Sequence, residues 1–205
     1  MTAGFELVVH HRYTSGTCAD LTGHANHGYA GHGYAGHEDA GPGNTTVGDA
    51  DPQGLAFDGR TTRVVVFPAL SLTALGGVRA RARVWVDDLA DRGTIMEGYL
   101  AFSFAVEPDG TLTGSVYTGL EWHLVTSPPA TVPYRRWVDL AFVYDGRDHL
   151  ALSVDGRTVA GRSAAVGRVG DVEWPYGLTI GAWPDLAARV FNGRMAEVWL
   201  WRATR

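Results

Sequence analysis

The sequence predicts an all-β fold of two antiparallel sheets packed face to face. Val138, Leu140, Phe142 and Tyr144 alternate with smaller or polar residues, as do Leu150, Leu152 and Val154, which is the period of a half-buried strand. Asp145-Gly146 and Asp155-Gly156 punctuate these runs with turn chemistry, so two hairpins follow one another. The 205 residues include 27 glycines and 9 prolines, and no segment sustains a helical period.

Taken in order, a first strand is expected over 5–13, where Phe5-Glu6-Leu7-Val8-Val9 is rich in apolar residues. Residues 14–54 are rich in Gly, His and Asp and nearly free of aliphatic side chains, so they are expected to be loop. Within them Gly28-Tyr29-Ala30-Gly31-His32 is repeated as Gly33-Tyr34-Ala35-Gly36-His37. Strands are expected near 55–58, 62–67, 78–86, 99–106, 111–118, 120–126, 137–144, 149–155, 157–161, 177–182 and 194–202. Asp109-Gly110 turns the Phe102/Phe104 strand back into the strand that begins near Leu112. About a dozen short strands joined by such turns suit a sandwich. No linker to a second unit stands out, so residues 1–205 are expected to form one domain.

A net charge of −5 argues against a nucleic-acid partner, which needs a concentrated basic surface. All 17 basic residues are arginine. One cysteine, Cys18, excludes an intramolecular disulfide. No run approaches the ~20 apolar residues of a membrane span, and the start at Met1 lacks a signal peptide. Cytoplasmic synthesis is therefore expected, the protein either remaining in the cell or leaving in a particle such as a phage virion or contractile injection device, unless a leader has been removed.

Five short segments, in order, resemble the laminin-G-like, concanavalin A-like lectin/glucanase jelly rolls. They are Asp20-Leu21-Thr22-Gly23-His24-Ala25-Asn26-His27-Gly28, Leu55-Ala56-Phe57-Asp58-Gly59, the strand ending near Trp85, the run 137–161, and Phe191-Asn192-Gly193-Arg194-Met195-Ala196-Glu197-Val198-Trp199-Leu200-Trp201. The resemblance implies a two-sheet antiparallel jelly roll with its first and last strands adjacent in one sheet. Members of that family bind sugars, bind proteins, cleave glycans or only pack, so the fold alone does not give the function.

Four groups of residues are candidates for a site. Asp20 and Asn26 offer oxygen ligands suited to calcium, and the resemblance implies a structural calcium in some relatives. The acidic position of the family's closing strand is Ala196 here, which removes a carboxylate from any site it completes. The alternative is an ordinary Asn/Gly turn network. His24, His27, His32 and His37 could gather a transition metal, or belong to a duplicated surface loop. Arg79, Arg81 and Arg83 alternate with small apolar residues, so their guanidiniums share one face about 7 Å apart. They suit an anionic partner, or internal pairing with Glu97, Glu107 or Glu121. Finally, Trp122, Trp174, Tyr176 and Trp183 lie in turn-rich segments, where an exposed ring serves sugars or protein partners. Trp137, Trp199 and Trp201 are expected in the core or between the sheets.

Catalysis finds little support. The glycan-cleaving relatives carry a Glu-x-Asp-x-x-Glu strand, absent here, and there is no nucleophile elbow, zinc-protease motif or phosphate loop. Cys18 with His24 or His27 is a conceivable thiol–imidazole pair, resting only on closeness in sequence. Two functions follow: a non-catalytic module that recognises carbohydrate or a surface ligand through loop aromatics, or a structural subunit of an assembled particle with only protein partners. The oligomeric state is open.

Overall fold

The computed structural model describes residues 4–32, 53–163, 167–169, 171–172, 177–184 and 188–204. Among them are fourteen strands and two short 3-10 turns, Tyr13–Ser15 and Leu70–Leu72. The strands are β1 (Phe5–Arg12), β2 (Gly28–His32), β3 (Leu55–Asp58), β4 (Thr62–Val66), β5 (Val78–Val86), β6 (Gly93–Gly98) and β7 (Phe102–Val106). They continue as β8 (Leu112–Tyr117), β9 (Trp122–Thr126), β10 (Trp137–Tyr144), β11 (His149–Val154), β12 (Arg157–Ser163), β13 (Leu178–Ile180) and β14 (Asn192–Ala203). The first sheet runs β1-β14-β5-β10-β11-β12, with β3 also on β14, and the second runs β2-β4-β13-β6-β7-β8-β9. Every strand pair is antiparallel, and β1 lies on β14 with His10 opposite Trp199. This is the jelly-roll sandwich the sequence leads one to expect.

Alternation builds the core. Val78, Ala80, Ala82, Val84 and Val86 of β5 are buried while Arg79, Arg81 and Arg83 are exposed. Leu140 and Phe142 of β10, with Leu150 and Leu152 of β11, face the same interior. Phe104 of the second sheet stacks on Phe142 of the first with centroids 6.2 Å apart. Gly114 makes that contact fit, because a Cβ there would overlap the Phe142 ring. Burial on this scale, at about 25 cal/mol per Å² of apolar surface, is what holds the sheets together.

The Asp-Gly turns act through the carboxylate. Asp58 Oδ1 accepts the N–H groups of Arg60, Thr61 and Thr62 at 2.8–3.0 Å. Asp145 Oδ1 likewise accepts those of Arg147, Asp148 and His149 at 2.9–3.2 Å. Partial desolvation opposes ionisation of Asp58, but the converging N–H groups and the Thr61 hydroxyl outweigh it and hold the carboxyl well below the usual range.

The structure departs from the sequence expectation at three places. Residues 14–54 are not loop throughout, since β2 pairs with β4 through Gly28 to His32. Its glycines and alanine carry no alternation to read. β6 lies outside every expected strand, because all six of its residues are buried and show no period of two. Trp137, Trp199 and Trp201 are not core residues. Their neighbours Val138, Val198 and Leu200 face the interior, and the three indoles stand half-buried on the outer face of the first sheet.

Candidate functional site

The β8–β9 hairpin carries the most open aromatic surface among the described residues. Tyr117 pairs with Trp122 across the hairpin, and Gly119 at the tip takes a positive φ of 87° that suits a residue without Cβ. Val116 and Val125 point inward, so Tyr117, Trp122 and Leu124 lie on the side away from the core. Trp122 is 42% exposed, Leu124 44% and Leu120 92%. The Trp122 and Tyr117 rings lie 5.3 Å apart with planes tilted by 38°. His123 pairs with Val116 on the opposite face of β9, nearly closed off, with Thr118 Oγ1 3.5 Å and Glu121 Oε1 3.7 Å from its Nε2. β9 is the last strand of its sheet. Across the sandwich edge, Arg162 of β12 donates to the Leu124 carbonyl at 3.0 Å, which steadies the hairpin.

The arginines of β5 occupy the opposite side of the molecule, on the outer face of the first sheet. Their carboxylate partner is Asp139 of β10, not Glu97, Glu107 or Glu121. Arg81 reaches Asp139 Oδ1 through Nε at 3.2 Å and Nη2 at 2.8 Å, and Arg83 reaches Oδ2 at 3.4 Å. The reason is topological: β5 lies between β14 and β10, whereas Glu97 is buried in β6 of the second sheet and Glu107 pairs with Arg92. Glu121 lies at the hairpin beside His123. The arginines also interleave with rings: Arg81 lies 4.8 Å from the Trp199 ring, Arg83 6.0 Å from Trp137, and Arg79 4.9 Å from Phe5 and 5.9 Å from Trp201. His10 stacks at 5.3 Å on Trp199. A trough of about 660 Å³ opens beside this ladder, lined by Arg79, Arg81, Asp139, Ser153, Asp155 and Trp201 among others.

Trp183 lies in the loop after β13, with the Arg189 guanidinium 4.3 Å over its ring. The hairpin, the arginine face and Trp183 therefore form no common site. Trp174, Tyr176 and His37 lie outside the described residues, as does the side chain of His32.

The Asp20 loop is organised by a hydrogen-bond network around the carboxylate. Asp20 Oδ1 accepts from the N–H groups of His10 and Thr22, and Oδ2 from the Thr22 hydroxyl and the Asn26 N–H, at 2.7–3.2 Å. Partial burial opposes ionisation, but these donors together hold the Asp20 carboxyl below its ordinary range. Asn26 points its NH₂ inward, to the Val8 carbonyl and the Ser71 hydroxyl, both at 2.7 Å. The carboxylate is thus saturated by donors, whereas Asn26 Oδ1 is buried without a hydrogen-bond partner among the described residues. The described histidines disperse. His24 approaches Glu6 at 3.4 Å, and His27 Nδ1 accepts from the Asp20 N–H at 3.1 Å. Among the described residues no three His, Cys, Asp or Glu side chains come together to hold a metal.

Cys18 does not form a nucleophile with His24 or His27. It is buried, and burial pushes its thiol up to about 12. The buried histidine is His11, whose Nε2–H donates to the Asn26 carbonyl at 2.8 Å and whose Nδ1 accepts from the Tyr13 hydroxyl at 3.3 Å.

Two site residues escape the sequence. Tyr117 reads only as a strand residue, though its position two residues before Gly119 is a signal that it flanks the turn. Asp139 carries no local signal, because its partners lie 58 and 56 residues away.

The sequence profile described as the Concanavalin A-like lectin/glucanases superfamily matches residues 71–205. No curated protein matches the chain. Among solved structures, it is similar to domain 4 of the extracellular arabinanase AbnA from Geobacillus stearothermophilus in complex with arabinotriose. There the TM-score is 0.66 at 16% identity, covering 97% of this chain and 93% of that one. It is also similar to the Ruminococcus gnavus IT-sialidase CBM40 bound to α2,3-sialyllactose, with TM-score 0.56, 13% identity and coverages of 75% and 91%. A third similar structure is the binding domain of Botulinum neurotoxin DC in complex with SialylT, with TM-score 0.56, 9% identity and coverages of 95% and 46%.

Proposed function

Because the chain belongs to the Concanavalin A-like lectin/glucanases superfamily, we propose that it is a non-catalytic carbohydrate-binding module whose sugar contact is the Trp122–Tyr117 hairpin. The observation that carries this reading is the exposure of Trp122 beside Tyr117 and Leu124, on the outer side of an edge strand of which only Val125 is buried. Leaving Trp122 42% and Leu124 44% exposed at one edge forgoes part of the burial worth about 1.5–3 kcal/mol for a whole side chain, so such a patch marks a contact surface. An indole face offers the C–H side of a sugar ring an apolar platform, and the exposed Glu121 carboxylate next to Trp122 in the chain suits its hydroxyls.

Two of the similar structures hold an oligosaccharide, arabinotriose in one and sialyllactose in the other, which supports the ligand class. The non-catalytic part rests on the carboxylates of the open trough. Asp139 is shared between Arg81 and Arg83, and Asp155 is engaged by Arg136 and the Asp139 N–H. Glycosidase chemistry needs one carboxyl free to give a proton and a second free to attack or activate water. Glycan-array binding by the intact chain, lost in Trp122→Ala, tests the reading. Hits that persist in that variant refute the assignment to the hairpin.

A further inference from the structure

The outer face of the first sheet holds a built recess that the hairpin reading does not use. Its floor is small and apolar, from Ala141 and Val143, with Ser153 beside them. One wall is Trp201 with Arg79 and Arg81, and the far end is Asp139 and Asp155 with Gly156. At about 660 Å³ it lies in the range of small-molecule sites.

The charges around the recess do not cancel. Asp139 is taken by Arg81 and Arg83, and Asp155 by Arg136. That sets four guanidiniums, counting Arg79, against two carboxylates. Arg79 is the one left over. No carboxylate among the described residues lies within 4.0 Å of it, and its partners are two rings, Phe5 at 4.9 Å and Trp201 at 5.9 Å. Rings on a guanidinium fix its plane and leave its N–H fork open to an acceptor. Arg81 is similarly held, against Trp199 on one side and Asp139 on the other. A planar, pre-positioned fork of this kind matches a carboxylate in two-point contact.

The remaining lining decides what carries that carboxylate. Ala141 and Val143 suit the C–H face of a sugar ring, and the Ser153 hydroxyl with the Asp139 carboxylate suits its hydroxyls. We propose that the trough is a second carbohydrate site, selective for a saccharide bearing a carboxylate, which Arg79 clamps. The inference takes its ligand class from the carbohydrate reading but rests on a different face and different residues.

The test is a calorimetric titration of the intact chain with oligosaccharides ending in glucuronate, galacturonate or N-acetylneuraminate, each beside its neutral counterpart. Arg79→Gln, Arg79→Lys and Trp122→Ala are titrated in parallel, with melting temperatures as a control for folding. At least one acidic member should bind about ten-fold or more tightly than its counterpart, the worth of a charge-assisted hydrogen bond. Arg79→Gln should abolish that preference, Arg79→Lys should keep part of it, and Trp122→Ala should leave it intact. Raising the salt should weaken it, because exposed charges are screened beyond about 8 Å at physiological ionic strength. Equal binding of acidic and neutral members overturns the proposal, as does a preference that survives Arg79→Gln. Competition by a polyglutamate peptide at equal strength also overturns it, since the site then reads charge without the sugar. Neutral binding lost only in Trp122→Ala with no acid preference defeats this inference and leaves the hairpin reading standing. No binding by any saccharide defeats both.

Discussion

Trp122 stands opposite Tyr117 across the β8–β9 hairpin, their ring centroids 5.3 Å apart and their planes 38° from parallel. Cross-strand aromatic pairs contribute about 0.2–1 kcal/mol to a hairpin, so the contact holds the indole in place at small energetic value. The open area of Trp122 is what remains for a ligand. By contrast, the rings of the first sheet are closed in: Trp199 has His10 on one side and Arg81 on the other. The two faces therefore offer different chemistry, an open ring at the hairpin and ordered charge in the trough.

The closing strand depends on Gly193, which sits at φ 143° with the place of a missing Cβ overlapping the Trp85 carbonyl oxygen. A methyl group must push β14 from β5 at the centre of the first sheet. Gly193→Ala should cost about 2 kcal/mol or more, a fall of roughly 4–8 °C in Tm for a chain of this size. Thermal unfolding checks it, and an unchanged Tm contradicts the close approach.

The saturated Asp20 carboxylate predicts indifference to metal. EDTA should leave Tm unchanged, and neither calcium nor zinc at millimolar concentration should raise it, since a ligand bound only to the folded state would stabilise it by mass action. Asp20→Ala should lower stability by about 1–3 kcal/mol by leaving part-buried donors unpaired. A calcium-dependent rise in Tm that Asp20→Ala abolishes contradicts the network.

His11 predicts a pH dependence. Burial lowers its pKa from 6.5, against the opposing hydrogen bond to Asn26 and the Asp20 charge. The unfolded chain therefore takes up a proton before the folded one does. The stability that neutral His11 contributes is present above pH 6.5 and is lost as pH falls below it toward the folded pKa. In that window the slope reaches about 1.4 kcal/mol per pH unit. Urea unfolding between pH 7.5 and 5 should show the fall, and His11→Gln should flatten it while lowering stability at every pH. A wild-type stability flat across that range contradicts it.

The sandwich was legible because its signals are local. Alternation along β5, β10 and β11 gave their buried faces, and Asp-Gly pairs marked the β3–β4 turn at Asp58 and the β10–β11 turn at Asp145. β2 and β6 were not legible for opposite reasons: Gly28 and Ala30 flank Tyr29 with too little side chain to show a period, and β6 is buried throughout. Assigning the outer indoles to the core failed because a tryptophan next to Val198 and Leu200 reads as one more apolar residue. Only strand phase, fixed by the partner strand, puts Trp199 outside. The exposure of Trp122 was legible from its turn-rich surroundings, and the arginine pairing of Asp139 was not, since it comes from the β5–β10 register.

The most direct measurement is the affinity of an array-identified glycan for the intact chain and for Trp122→Ala, with Tm recorded for both. Loss of an exposed anchor that contacts ligand should weaken binding by about 2 kcal/mol or more, roughly thirty-fold, with Tm nearly unchanged because the indole is half open. Affinity that survives Trp122→Ala within a factor of two contradicts the account, as does a chain that binds no glycan at all.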